Sequence, residues 1–255
     1  MNKKIFSAKN VTTLGVLLAL VILLQFFGSN FKIGATTLSL VLVPVVLGGI
    51  LLGPLSGGIL GFAFSAVVTI MGFVGTDPFT NALFSVSAWG MVGTLLLIFI
   101  KGIAAGVVPS VLYKIISKKN KFWGVIVASV CAPIINTGIF IIGMLILSDV
   151  LSATGFITDG QTVLYFLVIG CAGVNFLIEL AINAVLSPAI YRVITTIKRE
   201  KSGGGESAVS TENVVNTENE KDEFAVIDGE DSDGKVGNSG ESSVINSDIN
   251  NDKDE

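Results

Sequence analysis

Asn175, Glu179 and Asn183 lie four residues apart within CAGVNFLIELAIN, residues 171–183, and the flanking sequence is apolar. On a helix that spacing puts a carboxylate and two amides on one face. A charge at the centre of a membrane helix costs roughly 2.5–3.5 kcal/mol on insertion scales, so such groups face the protein interior and have partners. Two more groups of this kind are Lys101, in LLLIFIKGIAAG, and Asn136, in APIINTG. Lys101 and Glu179 can pair simply to hold two helices together. Alternatively, Lys101, Asn136, Asn175 and Glu179 line a pocket for a small polar solute. Lys101, Asn136 and Asn175 lie about 13 or 14 residues from the ends of their apolar segments, roughly 20 Å at 1.5 Å per residue, and with Glu179 one turn further on they are compatible with one level. Asn183 lies deeper and reads as a helix-packing hydrogen bond. Where the apolar segments 54–75 and 88–117 are joined stand Phe79, Asn81, Phe84 and Trp89. The stretch TDPFTNALFSVS that carries Phe79 and Asn81 suits a loop folded over a pocket, and equally a plain surface loop. Trp at that level is also the usual membrane-interface anchor.

The elements that must position these groups are read from the apolar runs. The chain has 255 residues, 51% hydrophobic and only 14% charged, with a mean hydropathy of +0.77. A soluble domain is about a quarter charged, so this is a polytopic membrane protein. About 20 apolar residues cross a bilayer core as a helix. Six segments qualify, at about 11–28, 37–53, 54–75, 88–117, 122–148 and 161–197. The expected fold is an all-α membrane protein of six transmembrane helices. The basic start MNKKIFSAKN precedes a run long enough to span, which reads as a retained first helix and not a cleaved leader.

Charge orients the spans. Lys3, Lys4 and Lys9 precede the first; Lys114, Lys118, Lys119 and Lys121 follow the fourth; Arg192, Lys198, Arg199 and Lys201 close the sixth. The opposite connections hold Lys32, Asp77, Asp149 and Asp159. Positive loops stay in the cytoplasm, so both termini are expected there, as an even number of spans requires. Residues 1–201 carry about +8 and residues 202–255 about −12, together the formal −4. The acidic, Gly/Ser/Asn-rich stretch 202–255 cannot bury enough apolar area to offset ordering, and is expected to be a disordered tail beside the 1–201 membrane domain.

No P-loop, GxSxG or HExxH occurs, there is no His, and Cys131 and Cys171 show no CxxC spacing. The sequence points to no metal, no cofactor and no enzyme. Small residues at four-residue spacing let helices approach closely. Gly57, Gly61 and Ser65 suit internal packing. Gly15 and Ala19, on a first segment with almost no other polar feature except Gln25, suit an outward docking face.

Taken in order, LSLVLVPVVLGGILLGPLSGGILGFAFSAVV (38–68), KGIAAGVVPSVLYKIISKK (101–119) and APIINTGIFIIGMLI (132–146) resemble the S component of an energy-coupling-factor vitamin transporter. The resemblance covers about residues 10–197. The pair Gly15 and Ala19 matches the family's AxxxA-type docking motif, with Gly at its first position. The resemblance implies a six-helix plasma-membrane protein of a prokaryotic cell that binds a vitamin near the outer side. It implies a membrane-embedded coupling (T) subunit and two cytoplasmic ATPases as partners. The segment LSLVLVPVVLGGILLGP is more similar to a group that includes pantothenate binders, with riboflavin, folate and pyridoxine as other candidates. A different class, a proton-coupled secondary transporter, would need an inverted repeat, and residues 1–100 and 101–200 show no convincing one. A scaffold working through its acidic tail is a third class.

Overall fold

The computed structural model of the chain describes residues 8–28, 32–33, 36–37, 40–158 and 160–203. The chain divides into two units, Met1–Glu200 and Lys201–Glu255. The expected disordered tail lies outside the described residues from position 204 onward.

The described residues are helical apart from a two-residue antiparallel pair, Lys32–Ile33 with Thr36–Thr37. In chain order the helices are α1 (Ala8–Gly28), α2 (Leu42–Leu52), α3 (Pro54–Val74), α4 (Pro78–Val86), α5 (Ala88–Ile116), α6 (Lys121–Ile146) and α7 (Ser148–Ala153). A last span then begins as α8 (Val163–Tyr165), passes through a π-helical stretch, Phe166–Gly173, and continues as α9 (Val174–Gly203). Among the described residues, five helices are long and apolar enough to cross a membrane: α1, α3, α5, α6 and the span from Val163 to Ile197. The second expected span is an apolar helix of 11 residues, Leu42–Leu52. It is roughly 16 Å long at 1.5 Å per residue, about half a bilayer core.

Local chemistry sets the boundaries. Gly53 separates α2 from α3 at φ 108, a conformation open to glycine. Pro54 then starts α3 at its first position, where a missing N–H costs nothing. Ser87 is extended, and its hydroxyl accepts the Gly90 N–H at 3.0 Å to cap α5. Asn120 caps α6 by accepting from Phe122 and Trp123 N–H.

One expectation changes here. The stretch after the third span is not a loop but α4, a helix opened by Asp77 and Pro78. Thr80 Oγ1 donates to Asp77 Oδ2 at 2.6 Å. The apolar residues Phe79 and Leu83, one turn apart, are both buried. Their burial against α5 and α7 is what makes so short a helix stable.

The tightest pairing joins α3 and α5, which run antiparallel. Gly61 meets Gly102, and Gly57 meets Gly106. A Cβ at Gly61 would strike the Gly102 carbonyl, and one at Gly106 would strike the Gly57 carbonyl. Ser65 Oγ donates across the interface to Ile98 O at 2.8 Å. The Gly57, Gly61 and Ser65 face therefore serves internal packing, the close approach that small residues permit in lipid.

Three buried clusters fill the bundle. One lies at the α4 end and joins Phe79, Leu83, Leu97, Met144, Leu151 and Leu167, among others. A second, at the opposite end, joins Leu42, Val46, Ala105, Tyr113, Val125 and Ile190 with their neighbours. The third seats α1: Leu17 and Val21 pack with Val41, Val45, Leu60 and Phe64.

Candidate functional site

A cleft of about 540 Å³, counting its open mouth, enters the bundle from the α4 end. The α5 helix supplies Thr94, Leu97, Ile98 and Lys101, spaced at i, i+3, i+4 and i+7, so one helical stripe forms a wall. Phe64 and Val68 come from α3, Phe140 and Met144 from α6, and Gln25 from α1. Asp77, Phe79, Thr80 and Leu83 close the remaining side, positioned by the start of α4.

The electrostatics centre on Lys101. Its Nζ lies 5.5 Å from the Phe64 ring centroid and 5.8 Å from that of Phe140. Both distances fall within the reach of a cation–π contact, which holds an ammonium in apolar surroundings without occupying its hydrogen-bond donors. Burial works against its charge, and the carboxylates of Glu179 and Asp77 work for it. Two other groups on the cleft wall have an oxygen with no hydrogen-bond partner among the described residues: Gln25 Oε1 and Thr94 Oγ1. A buried, unsatisfied polar atom costs about 1–3 kcal/mol, so each leaves hydrogen-bonding capacity unused on the cleft wall.

The residues singled out from sequence separate into three groups. Phe79 and Lys101 line the cleft. Asn136, Asn175 and Glu179 are buried in the bundle but do not line it. The Asn175 side-chain amide donates to Cys171 O at 3.3 Å, and that of Asn183 to Glu179 O at 2.8 Å, so both turn their N–H groups back onto their own helix. Asn136 Oδ1 has no hydrogen-bond partner among the described residues. In the third group, Asn81 holds α4 in place: its Nδ2 donates to Gly72 O at 2.9 Å, tying the helix to the end of α3. Trp89 is 65% exposed, away from the cleft lining. Gly15 and Ala19 lie on the exposed face of α1, and a Cβ at Gly15 would meet open space.

Sequence reasoning did not place Gln25, Phe64, Thr94 or Phe140 in the site. Two of them left a signal. Thr94 is two turns from Lys101 on the same stripe, and Gln25 is a lone amide in an oily helix, which by default marks function. Phe64 and Phe140 are apolar residues on apolar helices and carry no such mark. No group of three His, Cys, Asp or Glu that could hold a metal occurs among the described residues.

The family described as ECF transporter, substrate-specific component matches residues 9–191. No curated protein and no solved structure matches the chain.

Proposed function

We propose, for a chain that belongs to the substrate-specific components of ECF transporters, that it captures an anionic vitamin in the α4-end cleft, with pantothenate the best fit. The observation that carries this reading is the Lys101 ammonium, set between two aromatic rings in a cleft whose wall also offers Gln25 and Thr94. A carboxylate entering the cleft meets a charge-assisted donor, worth about 1.5–3 kcal/mol. Pantothenate adds an amide and two hydroxyls for Gln25, Thr80 and Thr94, and a branched apolar centre for Phe79 and Phe140. Asn136, Asn175 and Glu179 form the polar layer behind Lys101. Glu179 supplies its counter-charge when the cleft is empty. Riboflavin, folate and pyridoxine are the competing cargoes.

The chain works in the plasma membrane of a prokaryotic cell, with both termini in the cytoplasm and α2 counted as the sixth, short span. The cleft then opens outward. Gly15 and Ala19 form the docking face for a membrane coupling subunit that carries two ATPases. The cluster around Tyr113 and Ile190 packs the cytoplasmic half solidly, which favours a subunit that hands its cargo over with a partner's help. A proton-coupled carrier acting alone would need a route through that cluster.

The test is equilibrium binding of labelled pantothenate, riboflavin, folate and pyridoxine to the purified chain. One cargo bound at one site, with pantothenate strongest, is the expected result. Pantothenate bound no better than the others removes the substrate assignment. Binding of none removes the reading of the cleft.

A further inference from the structure

The helix that carries the docking face also reaches the cargo cleft. On α1, Leu17, Val21, Gln25 and Gly28 are buried, while Gly15 and Ala19 are exposed. Gln25 is only 3% exposed, sits on the cleft wall, and its Oε1 has no hydrogen-bond partner among the described residues. A buried side-chain carbonyl in that position is completed by an N–H or O–H from the solute. The rest of α1 is held lightly: Val16, Leu20, Leu23 and Phe26 are all exposed, and the helix rests on α2 and α3 through one stripe.

A second link runs through packing. Phe64, which faces the Lys101 ammonium in the cleft, belongs to the same buried cluster as Leu17 and Val21. A solute that moves the Phe64 ring or engages Gln25 therefore acts on the seat of α1 from two points. A helix is stiff along its length, so a shift at Gln25 is felt one to three turns away at Ala19 and Gly15.

We propose that Gln25 is a cargo-contacting residue that makes α1 an occupancy sensor, so that a filled cleft alters how the exposed face of the same helix docks on the coupling subunit. This rests on the reading of the cleft and the docking face given above. Linkage fixes the sign. A partner that empties the cleft must bind the empty form more tightly, and the vitamin must then weaken docking by the same factor.

The experiment measures docking of the full chain on its nucleotide-free coupling module, with and without saturating vitamin. The probe is whichever of labelled pantothenate, riboflavin, folate or pyridoxine the wild type binds. In the wild type the vitamin is expected to weaken docking about fivefold or more, the lower range of allosteric coupling. Gln25→Met keeps the side chain's length and removes its acceptor. It is expected to lower vitamin affinity of the isolated chain about fivefold, the value of one hydrogen bond. It is also expected to bring the vitamin's effect on docking to less than about twofold, while docking of the empty chain is unchanged. Leu17→Ala is a second variant, remote from the cleft wall. It is expected to keep isolated vitamin affinity within about twofold and still shrink the effect on docking. Wild-type vitamin affinity in Gln25→Met, or a wild-type effect of vitamin on docking in both variants, overturns the proposal. A wild type that binds no probe overturns the reading of the cleft instead.

Discussion

At the scale of single residues, Lys101 carries the account. Replacing it with Met keeps length and apolar volume and removes the charge. Pantothenate affinity is expected to fall roughly 10- to 100-fold, the range for a hydrogen bond to a charged group. A loss of less than about twofold in isothermal titration would remove Lys101 from the site. Glu179 acts one step back. Glu179→Gln removes a carboxylate whose field favours the buried ammonium, and losing such a charge is costly. The variant is expected to melt at lower temperature and to bind vitamin more weakly than wild type, though less weakly than Lys101→Met. Melting and affinity both at wild-type values would leave Glu179 without a role. Lys101 and Glu179 were legible because charge inside an apolar run is conspicuous. The aromatic partners of Lys101 were not, since Phe64 and Phe140 look like any lipid-facing or core residue until the fold points them at one ammonium. Sequence spacing also put Asn136 and Asn175 at the level of Lys101, but level is not direction. Asn175 donates an N–H to its own helix, and Asn136 is buried without lining the cleft.

At the scale of elements, two contacts decide whether the cleft keeps its shape. The first is the α3–α5 seam. Gly61→Leu would drive a side chain into the Gly102 backbone, where no flexible group can yield. Overpacking of this kind typically costs about 1–3 kcal/mol. The thermal midpoint in detergent is expected to drop by several degrees, and an unchanged midpoint would contradict the seam. The second is the tie between Asn81 and Gly72 that holds α4 across one side of the cleft. Asn81→Ala is expected to raise the vitamin's dissociation rate about threefold to tenfold, the value of one hydrogen bond. An unaltered rate would show that α4 is held by Phe79 and Leu83 alone. The long spans were plain from hydropathy to within a few residues. The α4 helix was harder to read because nine residues of mixed polarity look like a loop, although Asp77-Pro78 is a helix start and Phe79 and Leu83 share a face. The π-helical stretch Phe166–Gly173 has no signature in the hydropathy pattern, which reads as one continuous apolar run there.

At the scale of the whole molecule, the described residues present a cleft at one end, a buried cluster at the other, and an exposed face on α1. Gly15→Leu would place a bulky side chain into open space on that face. It is expected to block assembly with the coupling subunit while the isolated chain binds vitamin as before. Normal co-purification with the coupling subunit would move the docking face elsewhere. Deleting residues 204–255 removes most of the negative charge, and uptake is expected to survive. Its loss would revive a scaffold role for the tail. The order of apolar segments and small residues was enough to recognise the family from sequence, because those features are fixed by the membrane and by helix packing. Cargo identity depends on side-chain directions and was much less legible. The most direct measurement is accumulation of labelled pantothenate in proteoliposomes, by the chain alone and by the chain with its coupling subunit and ATPases. Accumulation only when the full assembly and ATP are both present is what this account predicts. Accumulation by the chain alone, driven by a proton gradient, would contradict it.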